Sequence, residues 1–283
     1  MQKKHIAIVF DFDETLAPES TSAFLDSLGI DVPTFWSKEV TPLVNNYNWD
    51  AITAYIYKML EISQKKVPIT KDMLCSWAQS MQLYPGVEGI FQSLREHLAE
   101  INPDINLEFY LISSGIGEIV RNTSISSEFH DIWACEFHYN ENNEISFPKN
   151  IVSFTDKTRY LFQIRKNIVK KRAFGNPFEV NKKTPKNKHK IPFTNMIMVG
   201  DGFTDVPCFS LIKGRGGIAI GVYDQHDREK WGKAWGFVHD NRVSNLVPSD
   251  YSPKSALVNS LMMAITNIAQ RIELEQQGYQ SHL

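Results

Sequence analysis

The chain has 283 residues, and its 30 lysines and arginines nearly balance 32 aspartates and glutamates, which leaves a formal net charge of −2 at pH 7. This length predicts one large α/β core with a smaller inserted module. The balanced charge excludes a global electrostatic field that would attract nucleic acid or an acidic membrane surface, so any affinity of that kind must be local.

The start of the chain, MQKKHIAIVFDFDE, has a basic end and a short apolar run that closes on acids and not on a small-residue cleavage site. We interpret this run as a strand and not as a signal peptide. No apolar stretch approaches the roughly 20 residues needed to cross a bilayer. The cysteines, Cys75, Cys135 and Cys208, lie far apart without CxxC spacing, which is typical of reduced thiols. The sequence therefore predicts a soluble cytoplasmic protein without a membrane partner.

Three short apolar runs each end at a polar residue. They are HIAIVF before Asp11, LEFYLI before Ser113 and NMIMVG before Asp201. Apolar runs of this length, separated by helical patterns, are typical of parallel strands buried on both faces. The carboxyl ends of such strands share one edge of the sheet, where ligands bind. We therefore predict an α/β fold with a Rossmann-like parallel sheet, helices on both faces, and these three polar residues close together.

An α-helical cap inserted into this core is predicted from residues 17–83, which show successive amphipathic helical patterns and no strand pattern. The Tyr-Pro-Gly turn at 84–86 returns the chain to the core. The predicted division is therefore a core of residues 1–16 and 84–283 and a helical cap of residues 17–83. Candidate N-caps in the cap are Ser20 or Thr21, Pro33 with Thr34, Asn48 and Thr70.

The end of the chain carries a stripe of aliphatic residues at helical spacing. Its members are Leu257, Leu261, Ile265, Ile268 and Ile272. Such a stripe predicts a helix that packs on its own core. A dimer contact is the alternative, so both a monomer and a homodimer remain open.

Two acidic clusters follow the first and third predicted strands. The turn after Asp11 can bring its carboxylate and that of Asp13 to one ligand, and Asp201 and Asp205 lie in the second cluster, GDGFTD. Gly200 permits close backbone approach beside the acid. Carboxylates at a sheet edge suit a hard cation such as Mg²⁺, so the two loops together predict one metal site.

Hydroxyls and a lysine complete the predicted site. Ser113 and the amides that follow it precede a predicted helix and could hold phosphate oxygens at its N-terminus. Lys157 follows at the start of an amphipathic helix, from whose first turn a lysine can point inward. Lys149 competes for the same role, and the pattern does not decide between the two lysines.

Residues 165–190 form a basic segment, with ten lysines or arginines, two prolines and a single acid, Glu179. Its composition predicts a solvated surface loop. The alternative is an electropositive rim that attracts phosphorylated ligands.

The order of these motifs resembles the haloacid dehalogenase-like (HAD) hydrolase superfamily, and the resemblance covers nearly the whole chain. The helical insertion after the first motif is similar to the cap of the branch that includes the phosphoserine phosphatases. The residues that carry the resemblance are Asp11, Asp13 and Thr15 of a DxDxT motif, Ser113, Lys157, and Asp201 and Asp205 of a GDxxxD motif.

The resemblance implies a Mg²⁺-dependent phosphatase in which Asp11 attacks phosphorus and forms an aspartyl phosphate. Asp13 would protonate the leaving oxygen and then deprotonate the hydrolytic water. Family members that dehalogenate carbon lack an acid at the position of Asp13, because a halide leaves without a proton. The presence of Asp13 therefore favours hydrolysis of a phosphate ester.

The remaining site residues follow from the same resemblance. Lys157 and Ser113, with the neighbouring Ser114 and Gly115, would bind the phosphoryl oxygens, where positioned charge is the main catalytic device. The family pattern implies a metal set of Asp11, the backbone carbonyl of Asp13, Asp201 and Asp205, the last of which binds a metal-bound water or orients the lysine.

The predicted cap departs from the phosphoserine phosphatases, which carry a cap glutamate and a cap arginine that bind the substrate's amino and carboxylate groups. Ser20, next to Glu19, and Ile56 stand at those positions here, and residues 20–70 contain no arginine. The sequence therefore favours another small phosphorylated metabolite, such as a nucleotide, a sugar phosphate or a phosphorylated cofactor. A phosphotransferase or mutase of the same family is the alternative among enzymes.

A binding protein is the alternative from a different class. Such a protein would use residues 165–190 to bind RNA or an acidic partner and would keep a vestigial hydrolase site. The complete set of candidate catalytic residues argues against it, as do the few aromatic residues among the lysines of the segment. We therefore expect no nucleic-acid partner.

Overall fold

The computed structural model describes residues 4–173, 176–225 and 228–280. Within these residues one sheet contains β1 (Lys4–Phe10), β2 (Ile105–Ile116), β3 (Asp131–Tyr139), β4 (Ile145–Asn150), β5 (Met196–Gly200), β6 (Ile218–Tyr223) and β7 (Asn245–Pro248). The strand order is β4-β3-β2-β1-β5-β6-β7. Every neighbouring pair is parallel except β3 and β4, which are antiparallel.

The α-helices surround this sheet and fill the segment between β1 and β2. They are α1 (Ser20–Ser27), α2 (Val32–Thr34), α3 (Thr41–Tyr47), α4 (Ala51–Lys65), α5 (Lys71–Gln79), α6 (Val87–Ile101), α7 (Gly117–Arg121), α8 (Asp156–Lys166), α9 (Val206–Gly214), α10 (Arg228–His239) and α11 (Ala256–Gln280). A π-helical stretch, Phe35–Val40, connects α2 to α3.

The three strands predicted from the apolar runs are neighbours in the sheet, with β1 between β2 and β5. Residues 6–10 of β1 are completely buried, which explains their continuous apolar character. The predicted end of β2 is wrong, because the strand continues through Ser113 to Ile116. A bulge between Ile112 and Ile116 shifts the register against β3, so the chain bends at Ser113 without leaving the sheet.

Helices cover both faces of the sheet, which confirms the predicted Rossmann-like α/β architecture. Alternate side chains of β1 belong to two different apolar clusters, since successive residues of a strand point to opposite faces. Ala7 and Val9 pack with buried residues of α4, α8 and α9, whereas Ile8 and Phe10 pack with α6 and α11. The five aliphatic residues predicted on the last helix are all buried in α11, at most 2% exposed, so this stripe packs on the chain's own core.

The segment from Ser20 to Gln79 contains helices α1 to α5 and no strand, in agreement with the helical pattern. The residues that flank this segment meet, because the backbone amide of Tyr84 donates a hydrogen bond to the carbonyl of Leu16 at 2.9 Å. Its assignment as a cap of residues 17–83, and of residues 1–16 and 84–283 as the core, remains a prediction. Residues 1–3, 174–175, 226–227 and 281–283 of that core lie outside the described residues.

The N-caps of the segment were predicted with mixed success. Thr70 caps α5, and its side chain accepts a hydrogen bond from the amide of Met73. The prediction of Asn48 for α4 is wrong, because Asn48 ends the preceding helix in a left-handed conformation with φ 59°, and Asp50 caps α4. At α1 the prediction of Ser20 or Thr21 is wrong, because Glu19 is the cap and accepts from two backbone amides. Thr34 precedes the π-helical stretch at the N-cap position but makes no side-chain cap hydrogen bond.

All three cysteines are unpaired, and Cys135 and Cys208 are buried. Over the described ranges, no helix combines the length and the apolar character that crossing a bilayer requires.

Because α11 packs on the core, we predict that two substitutions on that helix lower the free energy of unfolding by very different amounts. Ile265→Ala should lower the free energy of unfolding by about 2–5 kcal/mol, because removal of a fully buried side chain leaves a cavity. Met263→Ala is the matched control, since Met263 is 73% exposed, and it should change stability by less than about 0.5 kcal/mol. Urea unfolding followed by circular dichroism measures both. Equal losses would contradict this packing.

Candidate active site

The loop after β1 forms a tight turn. The backbone amides of Thr15, Leu16 and Ala17 all donate to the carbonyl of Phe12 at 2.8–3.3 Å, and Glu14 takes a left-handed conformation with φ 58°. Phe12 is buried in the core. Asp11 and Asp13, the two acids that flank Phe12, line one cavity. Binding of one ligand by both carboxylates stays a prediction.

Lys157 occupies the centre of the site and is completely buried. Its Nζ lies 3.0 Å from Oδ1 of Asp11 and 2.8 Å from Oδ1 of Asp205, and it donates to Oγ1 of Thr204 at 3.2 Å. The lysine enters from the first turn of α8, so acids from the β1 and β5 loops share a cation from a third element. A buried ammonium group needs such partners to remain charged.

Lys149, the competing lysine, lies outside this arrangement. Its side chain on β4 is 66% exposed and pairs with Glu136 at 3.3 Å. Geometry therefore selects Lys157 as the lysine of the site.

Three carboxylates form a compact acidic group beside the lysine. Oxygens of Asp11, Asp201 and Asp205 lie within 4.8 Å of one another. Burial raises the pKa of Asp11 and of Asp201, and repulsion from the neighbouring carboxylates raises both further. Lys157 supplies only one positive charge to this group. The arrangement therefore has the oxygen donors and the uncompensated negative charge that a hard divalent cation such as Mg²⁺ fits.

Asp205 differs from the other two acids because both of its oxygens have protein partners. Oδ1 contacts Lys157, and Oδ2 accepts from the amide of Gly202 at 3.3 Å. A Cβ atom on Gly200 would lie 2.4 Å from that Oδ2, so glycine is required there. Of the two roles left open by the sequence, these contacts favour orientation of the lysine.

Asp13 lies apart from the acidic group and approaches the bulge of β2. Its Oδ1 accepts from the backbone amide of Ser20 at 2.8 Å. A Cβ atom on Gly115 would lie 2.4 Å from Oδ2 of Asp13 and 3.1 Å from Oγ of Ser113. Both oxygens therefore lie beside the position that a side chain at residue 115 would occupy. Burial, and then the charge of Glu19, raises the pKa of Asp13 to about 7.

The bulge of β2 presents hydroxyl and backbone groups toward the site. Ser113 is completely buried, and its Oγ accepts from the amide of Gly115 at 2.8 Å. Oγ of Ser114 is buried without a hydrogen-bond partner, and Ser114 and Gly115 line the cavity. The predicted helix N-terminus is displaced, because α7 begins only at Gly117. Oxygens of a ligand would therefore meet a strand bulge and not the start of a helix.

Residues from the helical segment complete a cavity of about 560 Å³ around these groups. Tyr55 donates its hydroxyl to the carbonyl of Ser114 at 2.6 Å, and Trp36 donates to Oγ of Ser22 at 2.7 Å. The sequence analysis missed this link from Tyr55 to the sheet, the contact of Thr204 with Lys157, and Phe203 in the cavity wall. Contacts between distant parts of the chain leave no local pattern that could have revealed them.

No model of a known protein family matches the chain. An uncharacterised protein of Borreliella burgdorferi is 26% identical over 287 residues, which cover 92% of this chain and 96% of that protein.

Solved structures of HAD-family hydrolases share the fold. A HAD-family hydrolase of Salmonella enterica serovar Typhi has a TM-score of 0.57 at 15% identity, covering 85% of this chain and 66% of that one. A phosphoserine phosphohydrolase-like protein of Francisella tularensis has a TM-score of 0.53 at 18% identity, covering 90% and 98%. A phosphoserine phosphatase, in a structure of its phospho-aspartyl intermediate analogue, has a TM-score of 0.54 at 15% identity, covering 92% and 98%. The HAD-like, phosphoserine-phosphatase-like fold predicted from the sequence is confirmed.

The acidic group predicts that Mg²⁺ stabilises the protein. Saturating Mg²⁺ should raise the melting temperature by about 5 °C, and Asp201→Asn should remove most of that increase because it removes a ligand. Without metal, the same variant should melt above the natural protein at neutral pH. Its amide ends the repulsion with Asp11, and a buried carboxyl with a raised pKa stabilises the native state only as the pH falls and the group is protonated.

Differential scanning calorimetry in EDTA and in Mg²⁺ measures both effects. Asp104→Asn is the matched control, because Asp104 is exposed beside the amino end of β2, at the opposite edge of the sheet. This control should keep the full response to Mg²⁺. A Mg²⁺ response that survives Asp201→Asn would contradict the proposed ligand.

Proposed function

We propose that this protein is a Mg²⁺-dependent phosphomonoesterase that hydrolyses a small phosphorylated metabolite through an aspartyl phosphate on Asp11. The observation that carries the proposal is the buried contact of Lys157 with Asp11 and Asp205, next to Asp201. This arrangement places a carboxylate nucleophile beside a fixed cation at the carboxyl edge of a parallel sheet, where ligands bind. The hydrolase and phosphatase neighbours in fold support the same reaction class.

Asp11 is the proposed nucleophile. Its Oδ1 accepts from the amide of Phe12 at 2.8 Å and contacts Lys157, so the orientation of the carboxylate is fixed before substrate binds. In the first step an oxygen of Asp11 attacks phosphorus and the bond to the ester oxygen breaks. In the second step water attacks the aspartyl phosphate, which releases phosphate and restores the carboxylate.

Asp13 is the proposed acid and base. With a pKa of about 7, its carboxyl group is partly protonated at neutral pH, which suits a residue that must give a proton to the leaving oxygen and take one from water. Its hydrogen bond from Ser20 fixes one oxygen and leaves the other facing the cavity.

Lys157 and the β2 bulge are proposed to bind the phosphoryl group. The ammonium group lies beside the proposed nucleophile. Ser114 and Gly115 line the cavity from the neighbouring strand, and Oγ of Ser113 accepts from the amide of Gly115. Charge on the phosphoryl oxygens is then balanced by groups that are already oriented, so little reorganisation is needed in the transition state.

Mg²⁺ would be held by Asp11, the backbone carbonyl of Asp13 and Asp201, while Asp205 positions the lysine. When bound, the ion supplies positive charge that screens the nucleophile from the anionic substrate and balances charge on the phosphoryl oxygens.

The helical segment of residues 17–83 is proposed to act as a cap that selects the substrate. Trp36, Ile52 and Tyr55 contribute apolar surface to the cavity, and Glu19 contributes a carboxylate. Glu19 would attract the ammonium group of phosphoserine, but the described lining residues include no arginine or lysine to pair with its carboxylate. This lining therefore argues against phosphoserine and favours a leaving group with an apolar or aromatic face.

The nucleophile assignment predicts that Asp11→Asn lowers hydrolysis of p-nitrophenyl phosphate by about a thousandfold or more, because an amide keeps the shape of the carboxylate but does not attack phosphorus. Phosphate release in Mg²⁺ measures the rate, and circular dichroism checks folding. Asp104→Asn should keep the natural rate.

A screen of phosphorylated metabolites with the natural protein then identifies the substrate. Inactivity of the natural protein on all these esters would contradict a phosphatase.

The raised pKa of Asp13 predicts a pH dependence that differs between two kinds of ester. Alkyl esters need a proton on the leaving oxygen, whereas nitrophenolate scarcely does. The ratio of alkyl to aryl hydrolysis should therefore be high below about pH 7, where Asp13 is protonated, and should fall as the pH rises. Glu19→Gln removes a negative charge that raises this pKa, so the midpoint should move to lower pH. A ratio independent of pH would argue against Asp13 as the acid.

A further inference from the structure

A second cavity lies at the other end of α8. Its volume is about 720 Å³, within the usual range for small-molecule sites, and it shares no lining residue with the candidate active site. It lies between α8 and residues 177–189, inside the basic segment identified in the sequence. Residues 174–175 of that segment lie outside the described part of the chain and do not enter the argument.

Arg165, in the last turn of α8, contributes a cation to the lining of this cavity. Its guanidinium group lies 4.8 Å from the ring centre of Phe193, and its Nε is buried without a hydrogen-bond partner. No carboxylate pairs with it among the residues that the structure describes. Burial, and then the charge of Arg215, lowers its pKa. The site therefore holds a positive charge that an anionic ligand would stabilise.

The other polar groups of the cavity add to its positive character. Lys166 donates to the carbonyls of Val180 and Lys182. These bonds connect residues 180–182 to α8 but do not neutralise the ammonium charge. Burial lowers the pKa of His189, and the charges of Arg165 and Lys166 lower it further. No aspartate or glutamate is present among the described lining residues.

Aromatic surface lies beside these charges. Phe162 and Phe178 line the cavity with Pro177, and Phe178 is 77% exposed. An exposed aromatic side chain next to a cation suits a ligand that carries both a ring and an anionic group, since the ring can stack while the anion pairs with arginine.

We infer that this cavity is a second ligand site, separate from the catalytic one, for a small phosphate ester that carries an aromatic ring, of the size of a mononucleotide. Arg165 binds the phosphate, and Phe178 with Phe162 contacts the ring. The inference does not depend on Asp11 being a nucleophile. Lys157 and Arg165 are eight residues apart on α8, roughly 12 Å along the helix, and the two cavities have no lining residue in common.

Nuclear magnetic resonance of the histidine side chains tests this site, because His189 lies in the cavity wall. The full chain carries Asp11→Asn and is kept in EDTA, so that the probe, adenosine 5′-monophosphate, is not hydrolysed. The His189 signal is assigned by its loss in His189→Gln. We expect a saturable shift of that signal with the probe, and a weaker response to ribose 5-phosphate, which lacks the aromatic ring.

Two substitutions of Arg165 distinguish the effect of its charge on ligand affinity from the effect of its packing. Arg165→Gln should weaken binding about tenfold or more, whereas Arg165→Lys, which keeps the charge, should retain most of the affinity. Arg95→Gln is the matched control, because Arg95 also lies over a phenylalanine ring, at 4.9 Å, but pairs with Glu128 outside the cavity. The affinity of the Arg95→Gln variant for adenosine 5′-monophosphate should equal that of the parent protein.

Three results would overturn the inference. The first is a His189 signal that does not move with the mononucleotide. The second is equal loss of affinity in the Gln and Lys variants of Arg165, which would indicate a structural effect. The third is a response to an RNA oligomer alone, which would assign the surface to a polyanionic partner.

Discussion

The buried ammonium group of Lys157 is the interaction on which the rest of the site depends. It joins α8 to the loops that follow β1 and β5, and both of its carboxylate partners, Asp11 and Asp205, are almost completely shielded from water. A buried charge that loses one partner is strongly destabilising. The three elements must therefore be positioned together, and the same contacts that fix the fold at this edge also fix the separation between Asp11, the proposed nucleophile, and the ammonium group.

Close approach of charged groups at this edge is possible because small residues stand where they meet. Gly115 leaves room for Asp13, and Gly200 leaves room for Asp205. The resulting density of acids is unfavourable in the protein alone, as the raised pKa values of Asp11 and Asp201 indicate. A bound cation would relieve this electrostatic repulsion, so the acids that lower stability in the protein alone are those that would favour binding of a cation.

The sequence predicted the elements whose residues repeat a clear pattern. The central strands, the helical segment and the last helix followed from apolar periodicity. The places of Asp11 and Asp201 after two predicted strands indicated that these acids lie close together, whereas the pattern left Lys157 and Lys149 open, because burial of one lysine is not visible in the sequence. The bulge at Ser113 was not predictable, because it depends on the register between β2 and β3. The raised pKa of Asp13 and the hydrogen bond from Tyr55 depend on residues that are distant in sequence or on burial, and neither leaves a local signal.

The adjacency of Leu16 and Tyr84 has a consequence for how such a chain can change over evolution. Because the helical segment leaves and re-enters the core at one hydrogen-bonded point, its length and its sequence can vary without moving the strands. The entropy of closing a longer loop at that point grows only slowly with length. Under the proposed function, one reaction centre could thus be combined with helical segments of many different lengths and sequences, and specificity could diversify while the chemistry stays the same.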